Sequence, residues 1–278
     1  MKFSLVLATL NRTSELERFL ASLDAQGYRD FELIIVDQNS DDRLLPILAR
    51  YTALWPIIHL RSEKGLSRAR NVGLSHVTGD VICFPDDDCW YPPDLLERVA
   101  VFFREHPECN GYCGKSTDEQ GHDVAGRYDK QPGNISKYNV WRKAISFSIF
   151  VRRDLIHSVG FFDEALGVGA GTPYGSGEEM DYLIRAIENG HSLYYEPVLF
   201  VFHPNPTACY DDLAIRRALL YGGGMGRVWR KYHYPFWFVV YSLLRSFGGV
   251  LISLCMGNFS KLRFHQALLT GKIQGWIS

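Results

Sequence analysis

Cysteine is scarce in this chain of 278 residues, with six scattered at no regular spacing. That argues against a disulfide framework. Cys109 and Cys113 have no second metal-type pair, so they read as ordinary buried thiols of a reducing compartment. A secretory leader is not expected, because the first apolar run, Phe3 to Leu10, is short and ends in Asn11-Arg12 without a small-residue cleavage site. Residues 167–177 hold five glycines, yet that loop lacks the Gly-Lys-Ser/Thr ending of a phosphate loop and does not match the dinucleotide fingerprint. That loop reads as a mobile lid rather than a phosphate cradle. The most informative absence is of one sign of charge. Beyond residue 212 there is no Asp or Glu, whereas nine Lys or Arg lie there, at 216, 217, 227, 230, 231, 245, 261, 263 and 272. The preceding part carries the other 21 basic residues against all 31 acidic ones. An acidic body with a wholly basic tail points to a tail that meets an anionic surface.

What is present is a repeated order of strand, turn and helix. Hydrophobic content of 46% and charged content of 22% are those of a globular protein. Strands are expected at Lys2–Thr9, Phe31–Val36, Ile57–Leu60 and Val81–Phe84. Between them, Thr13 is placed to cap a helix over Ser14–Gln26 whose Leu16, Phe19, Leu20 and Leu23 form one apolar face. A second helix is expected from the acidic turn after Val36 to about Tyr51, and a third from Gly65 to near Thr78 and Gly79. Helices over Pro93–Glu105, Arg153–Val159 and Glu178–Glu188 and strands over Asn110–Lys115, Ser146–Val151, Ser192–Tyr195 and Val198–Phe202 follow. This alternation implies an α/β domain with a mostly parallel sheet, here assigned to residues 1–206.

Val81–Phe84 discharges at Pro85 into Asp86-Asp87-Asp88. Ligands of open α/β sheets sit beyond the carboxyl ends of strands. Three adjacent carboxylates there repel one another unless a cation joins them. A hard divalent ion with oxygen ligands, Mg²⁺ or Mn²⁺, is the natural candidate. The plainer alternative is an acidic turn in which Asp88 caps the next helix.

Several motifs in order resemble a family 2 glycosyltransferase of the GT-A fold, over about residues 2–203. They are Ala8-Thr9-Leu10-Asn11-Arg12, Val36-Asp37-Gln38-Asn39-Ser40, Gly65-Leu66-Ser67-Arg68-Ala69-Arg70-Asn71, Asp86-Asp87-Asp88, Gly177-Glu178-Glu179-Met180-Asp181, and His203. The resemblance implies an enzyme that binds a nucleotide-diphosphate sugar. Asp37 would then accept an N–H of the base, Thr9 would line the base pocket, and Asn11 and Arg12 would belong to the donor site. Arg68 and Asn71, three apart on one helix face, would lie beside ribose and diphosphate, with Arg70 turned elsewhere. Asp86 and Asp88 would approach ribose and metal, with Asp87 adjoining the donor and His203 a further metal ligand. Glu179, second acid of the pair opening a helix, would be the base of an inverting transfer, with Glu178 or Asp181 orienting the acceptor. A capping box, Ser176-Gly-Glu-Glu179, is the structural alternative for Glu179.

Residues 207–278 read as a basic and apolar helical extension. Residues 212–232 form a helical stretch interrupted by Gly222-Gly223-Gly224. Pro235–Met256 is apolar, with Phe236, Trp237, Phe238, Tyr241 and Phe247, and just long enough to span a bilayer. Arg245 at its middle makes spanning costly and favours an interfacial helix on the cytoplasmic face of an anionic membrane. A lipid-linked saccharide acceptor would fit that location. The aromatics are clustered rather than interleaved with the cations, so nucleic acid is not an expected partner. Two other functions compete. A nucleotidyltransferase acting on sugar phosphates would need a Gly-rich basic loop after the first strand, and residues 8–12 contain no glycine. A non-catalytic membrane scaffold would not need Asp86, Asp88 and Glu179.

Overall fold

The alternation of strand and helix is realised in β1 (Phe3–Thr9), α1 (Ser14–Asp24), β2 (Phe31–Asp37), the one-turn α2 (Leu45–Leu48), β3 (Ile57–Arg61) and α3 (Leu66–Leu74). Next come β4 (Val81–Cys83), α4 (Leu95–Glu105), β5 (Gly111–Thr117), β6 (Gly133–Asn134), α5 (Val140–Lys143) and β7 (Ile149–Arg152). They are followed by α6 (Arg153–Val159), α7 (Glu178–Glu188), β8 (Leu193–Phe202) and three long helices, α8 (Asp212–Lys231), α9 (Phe236–Cys255) and α10 (Phe259–Ile277). This is a computed structural model, and it describes residues 1–205 and 209–278. The expected domain boundary at 206/207 lies outside the described residues. The described residues pack as two units, one of residues 1–64, 68–162 and 182–205, the other of residues 65–67, 163–181 and 209–278.

The first unit is built on an eight-stranded sheet in the order β3-β2-β1-β4-β7-β5-β8-β6. The ladders among β3, β2, β1 and β4 are parallel, as is β5 with β8. The sheet is mixed because β7 runs antiparallel to β4 and β5, and β6 antiparallel to β8. β1 is buried along its whole length, as expected for a central strand covered on both faces. Phe3, Leu5 and Leu7 join a core with Leu16, Phe19, Leu20 and Leu23 of α1 and Leu95, Leu96, Val99 and Phe103 of α4. Gly73 of α3 packs on the opposite face, where a Cβ would come within 2.4 Å of Val6.

Some elements differ from expectation. α2 is a single turn rather than a helix to Tyr51, and the chain reaches β3 through turns after Ala49. Thr13 makes no side-chain cap. The two short strands expected between 192 and 202 are one strand, β8, whose pairing with β5 shifts register between Cys113 and Lys115. That irregularity absorbs Pro197, which cannot donate to a ladder.

In the second unit α8 is an unbroken helix through its three adjacent glycines. Their use is close packing. A Cβ on Gly222 would lie 2.4 Å from Leu268 O of α10, and one on Gly226 2.2 Å from Lys272 O. Gly271 and Gly275 of α10 return the contact, at 2.0 Å from Leu219 O and Gly223 O. Gly223 and Gly224 receive the backbone of Pro173 and Ser176 at 2.2 and 2.1 Å. Helices with small residues four apart can bring their backbones together in this way. Among the described residues α9 is the one helix long and apolar enough to cross a membrane. It exposes Phe236, Trp237, Tyr241, Leu244 and Ile252. Lys272 of α10 is buried and donates to Ser246 of α9 at 2.9 Å. Burial pushes its ammonium down to about 8. One of the nine tail cations is therefore an internal group and not part of a basic surface.

Glu32 of β2 is a buried carboxylate satisfied on every side. Lys2 Nζ lies 2.6 Å from Oε2, Ser4 donates to Oε1, and Thr78 donates through both its backbone N–H and its hydroxyl. Burial alone would raise its pKa, but Lys2, Ser4 and Thr78 outweigh it and hold the group at about 2 against an ordinary 4.5. A depressed carboxylate stabilises the fold above its unfolded pKa and loses that contribution as pH falls through the folded value. Glu32→Gln is expected to cost about 1.5–3 kcal/mol at pH 7. In urea titrations the gap between variant and wild type should close between pH 4.5 and 2. A gap independent of pH would refute the assignment.

Candidate functional site

The end of β4 continues as a single bridge that pairs Asp86 with Ala8 of β1. This pairing sets Asp87 against Thr9, whose hydroxyl donates to Oδ2 at 2.7 Å. Arg12 Nη1 donates to Asp87 Oδ1 at 2.9 Å and also contacts Asp88 Oδ2. Asp87 is thus turned toward the end of β1, and Arg12 lies between it and Asp88. One ligand atom from each of Asp86, Asp88 and His203 can be chosen so that all lie within 4.8 Å of one another.

Each of these three has its own electrostatic partner. Asp86 Oδ1 accepts from Arg70 Nη2 at 3.1 Å. Burial raises its pKa to about 6 in spite of Arg70. Asp88 Oδ1 faces His203 Nε2 at 3.2 Å. Burial opposes ionisation of Asp88, but His203 and Arg12 prevail and hold it at about 2. His203 Nδ1 lies 2.6 Å from the carbonyl oxygen of Pro204, and its ring stacks on Phe147 at 4.8 Å. A carbonyl only accepts, so Nδ1 carries a proton. In the neutral imidazole Nε2 then keeps its lone pair for the acidic site, as a metal-ligating histidine requires. Two carboxylates and such an imidazole fit a hard divalent cation.

Beyond β2, Asp37 is completely buried. Its Oδ1 accepts from the backbone N–H and the side-chain amide of Asn39 at 2.8 and 2.7 Å. Its Oδ2 lies 3.0 Å from both His59 Nε2 and Arg61 Nη1. Four groups from three residues surround its two oxygens, so a base N–H that reached Asp37 would have to displace one of them. Asn11 adopts φ 59°, a left-handed turn that asparagine tolerates, and its N–H donates to Asn39 Oδ1 at 2.7 Å. His59 and Arg61 were not anticipated. They meet Asp37 because β3 pairs in parallel with β2 and sets Arg61 opposite it.

On α3 one residue departs from expectation. Arg70, expected to turn away, is 1% exposed and reaches Asp86. Arg68 donates to Glu63 at 3.2 Å. Asn71 clamps the backbone of Phe162, donating to its carbonyl at 3.0 Å and accepting its N–H at 2.8 Å.

Glu178, Glu179 and Asp181 belong to the second unit and form the acidic first turn of α7. Gly177 precedes them at φ +90°, where a side chain would be strained, and a Cβ would touch Val228 at 3.0 Å. The hydroxyl of Ser176 donates to Tyr221 O at 2.9 Å. Glu178 is buried and Glu179 half-buried. Asp181 is fully buried and bound by Lys231 Nζ at 2.6 Å and Tyr232 OH at 2.7 Å. Lys231 also holds Asp163 at 2.8 Å.

The model of glycosyl transferase family 2 matches residues 4–160, and the chain belongs to that family. It is accordingly a glycosyltransferase. A PGL/p-HBAD biosynthesis glycosyltransferase of Mycobacterium tuberculosis is 33% identical over 195 residues, 67% of this chain and 70% of the relative. Glycosyltransferase AglE of Haloferax volcanii is 26% identical over 237 residues, 81% of this chain and 73% of AglE. Two solved structures share the fold. S. aureus TarS 1–349, also solved with UDP-GlcNAc, matches with a TM-score of 0.61 at 18% identity over 98% of this chain and 90% of its own. The mannosyltransferase PcManGT of Pyrobaculum calidifontis, solved with GDP-Man and Mn²⁺, matches with a TM-score of 0.67 at 15% identity over 99% and 86%.

The Asp181–Lys231 pair is open to a direct test. Lys231→Met removes a charged donor from a buried carboxylate and is expected to cost about 1.5–3 kcal/mol. Asp181→Asn alone should cost a similar amount. The double variant should cost far less than the sum in a denaturation cycle, because the two side chains share one interaction. Additive losses would show that the pair contributes nothing.

Proposed function

We propose that the chain transfers a sugar from a nucleotide-diphosphate sugar to a hydroxyl of a saccharide or lipid-linked saccharide, with inversion at the anomeric carbon. A divalent cation, Mn²⁺ or Mg²⁺, would be held by Asp86, Asp88 and His203. The observation that carries the reading is the convergence of those three side chains at the end of β4. The Mn²⁺ and GDP-Man of PcManGT and the UDP-GlcNAc of TarS support it by similarity of fold. When bound, the cation offsets negative charge developing on the leaving diphosphate. Thr9, Asn11 and Asp37 shape the base pocket, Asp37 by fixing His59 and Arg61 around it. Arg12 and Arg68 attract the diphosphate, Asn71 holds the neighbouring backbone, and Asp87 anchors Arg12.

Glu179 takes the acceptor proton in this reading. Of the three acids in the first turn of α7, Asp181 is committed to Lys231 and Tyr232 and stabilises the turn. Glu178 is buried and orients its neighbour. The cytoplasmic face of an anionic membrane is the proposed place of action. The exposed aromatics of α9 would enter the interface, and the exposed Arg216, Arg217, Arg230 and Arg245 would each add about 1 kcal/mol of attraction to anionic lipid.

A nucleotide-release screen with UDP-, GDP- and dTDP-sugars should identify one donor class. EDTA should abolish release and Mn²⁺ or Mg²⁺ restore it, while Asp88→Ala stays folded and inactive. Glu179→Gln should lower turnover about 10²–10⁴-fold with donor affinity intact. Proton NMR of the product should show the inverted anomer. Full turnover in EDTA, or near-normal turnover of Glu179→Gln, would refute the corresponding assignment.

Membrane association has a separate readout. The full-length protein should co-sediment with vesicles containing anionic phospholipid and be released by salt. Replacing Phe236 and Trp237 by Asp should lower partitioning by about tenfold or more. No binding to anionic vesicles at low salt would eliminate this part of the proposal.

A further inference from the structure

Both carboxylate oxygens of Asp88 are engaged by basic side chains of the protein itself. His203 faces Oδ1 and Arg12 faces Oδ2. The two side chains differ in how firmly they are held. His203 is buried, bonded to the carbonyl of Pro204 and stacked on Phe147. Arg12 keeps 38% of its side chain exposed and sits just after the left-handed turn at Asn11. Among the described residues, its hydrogen-bond partners are the carboxylates of Asp87 and Asp88. The carboxylate of Glu15, one turn on, adds a coulombic attraction.

We propose that Arg12 is an internal counter-ion, which occupies the acidic site when no divalent cation is bound and is released toward the donor diphosphate when one is. The inference rests on the cation site proposed above and adds a role for Arg12 distinct from donor binding alone. Charge supplies the reason. Three carboxylates converge with two guanidiniums and the imidazole, so the site already holds positive charge of its own. A divalent cation added to that arrangement would face Arg12 across Asp88 at close range, and like charges so near are costly where water is thin. Departure of Arg12 removes the conflict and leaves a free guanidinium at the mouth of the site. Guanidinium binds diphosphate oxygens in bidentate fashion. Cation and donor would then bind cooperatively, each favouring the conformer in which Arg12 has left Asp88.

The test uses the full-length protein with Mn²⁺ alone, followed by electron paramagnetic resonance or calorimetry without any nucleotide. Arg12→Ala is expected to bind Mn²⁺ more tightly than wild type by about fivefold or more, since the competitor is gone. Asp88→Asn in the same background should abolish the gain, which locates it at the triad. UDP and GDP should bind Arg12→Ala more weakly in the presence of Mn²⁺, and the enhancement of nucleotide affinity by Mn²⁺ should shrink. Arg12→Lys keeps the charge on a shorter arm that lacks the planar fork of a guanidinium. It should fall between the two proteins, and it carries the test if the alanine variant is unstable. Wild type that binds Mn²⁺ with an affinity unchanged or weakened in both Arg12 variants would overturn the counter-ion and leave the cation site standing. Absence of Mn²⁺ binding in wild type and both variants would overturn both.

Discussion

Three carboxylates on consecutive residues repel one another more strongly as water is excluded from around them, and the first unit sets a cation beside each. The cations come from three distant stretches of sequence. Arg12 follows β1, Arg70 lies on α3, and His203 closes β8. They can meet only because β1 is the immediate neighbour of β4 in the sheet and α3 packs over β1 and β2. The strand order is therefore what makes an acidic strand end tolerable. Asp87 has a different duty from its neighbours, because its bonds to Thr9 and Arg12 join the ends of two adjacent strands.

Much of this arrangement was legible in the chain, and the parts that were not share a cause. The apolar run before Asp86, the stripe Leu16, Phe19, Leu20 and Leu23, and the acids opening α7 are local patterns, and local patterns survive folding. Arg61 and His59 carry no such mark. They matter because of the register between β2 and β3, which depends on the packing of whole strands. Arg70 and Arg68 are two apart on one helix, and helical spacing alone does not say which of them faces the sheet. The antiparallel course of β7 was equally hidden, since a short buried strand reads the same in either direction. Gly222-Gly223-Gly224 looked like a break for the opposite reason. Glycine has low intrinsic helix propensity, and tertiary packing overrode it.

The acids of α7 illustrate how position along one turn separates roles. Glu178, Glu179 and Asp181 share a helix N-terminus, where the backbone favours negative charge. Their side chains nevertheless differ in surroundings, and Asp181 is locked by Lys231 and Tyr232. Environment, more than residue type, decides which member of such a group can exchange a proton. The loop before them is glycine-rich for a steric reason. A side chain at Gly167 would press on Ser67 and Glu178 at 3.1–3.2 Å, and one at Gly177 on Val228. Ser67 meanwhile bonds Leu166 O at 2.6 Å, so the start of α3 is fastened to that same loop.

The glycine contacts between α8 and α10 also bear on the order in which the chain is completed during synthesis. Each glycine inside a helix forgoes about 1 kcal/mol of intrinsic helix stability relative to alanine. α8 contains four, at 222, 223, 224 and 226. Alone it is a poor helix, and its backbone contacts are supplied by Leu268, Lys272 and Trp276 of α10. A ribosome adding about 5–20 residues per second makes α8 seconds before α10 is available to it. Lys231, at the end of α8, waits for the same event, and with it the counter-charge of Asp181. The acidic turn of α7 is thus among the last parts of the protein to reach its final electrostatic state, long after the sheet that bears Asp86 and Asp88 has been translated. A nascent chain therefore holds Asp86 and Asp88 well before its acidic turn is set.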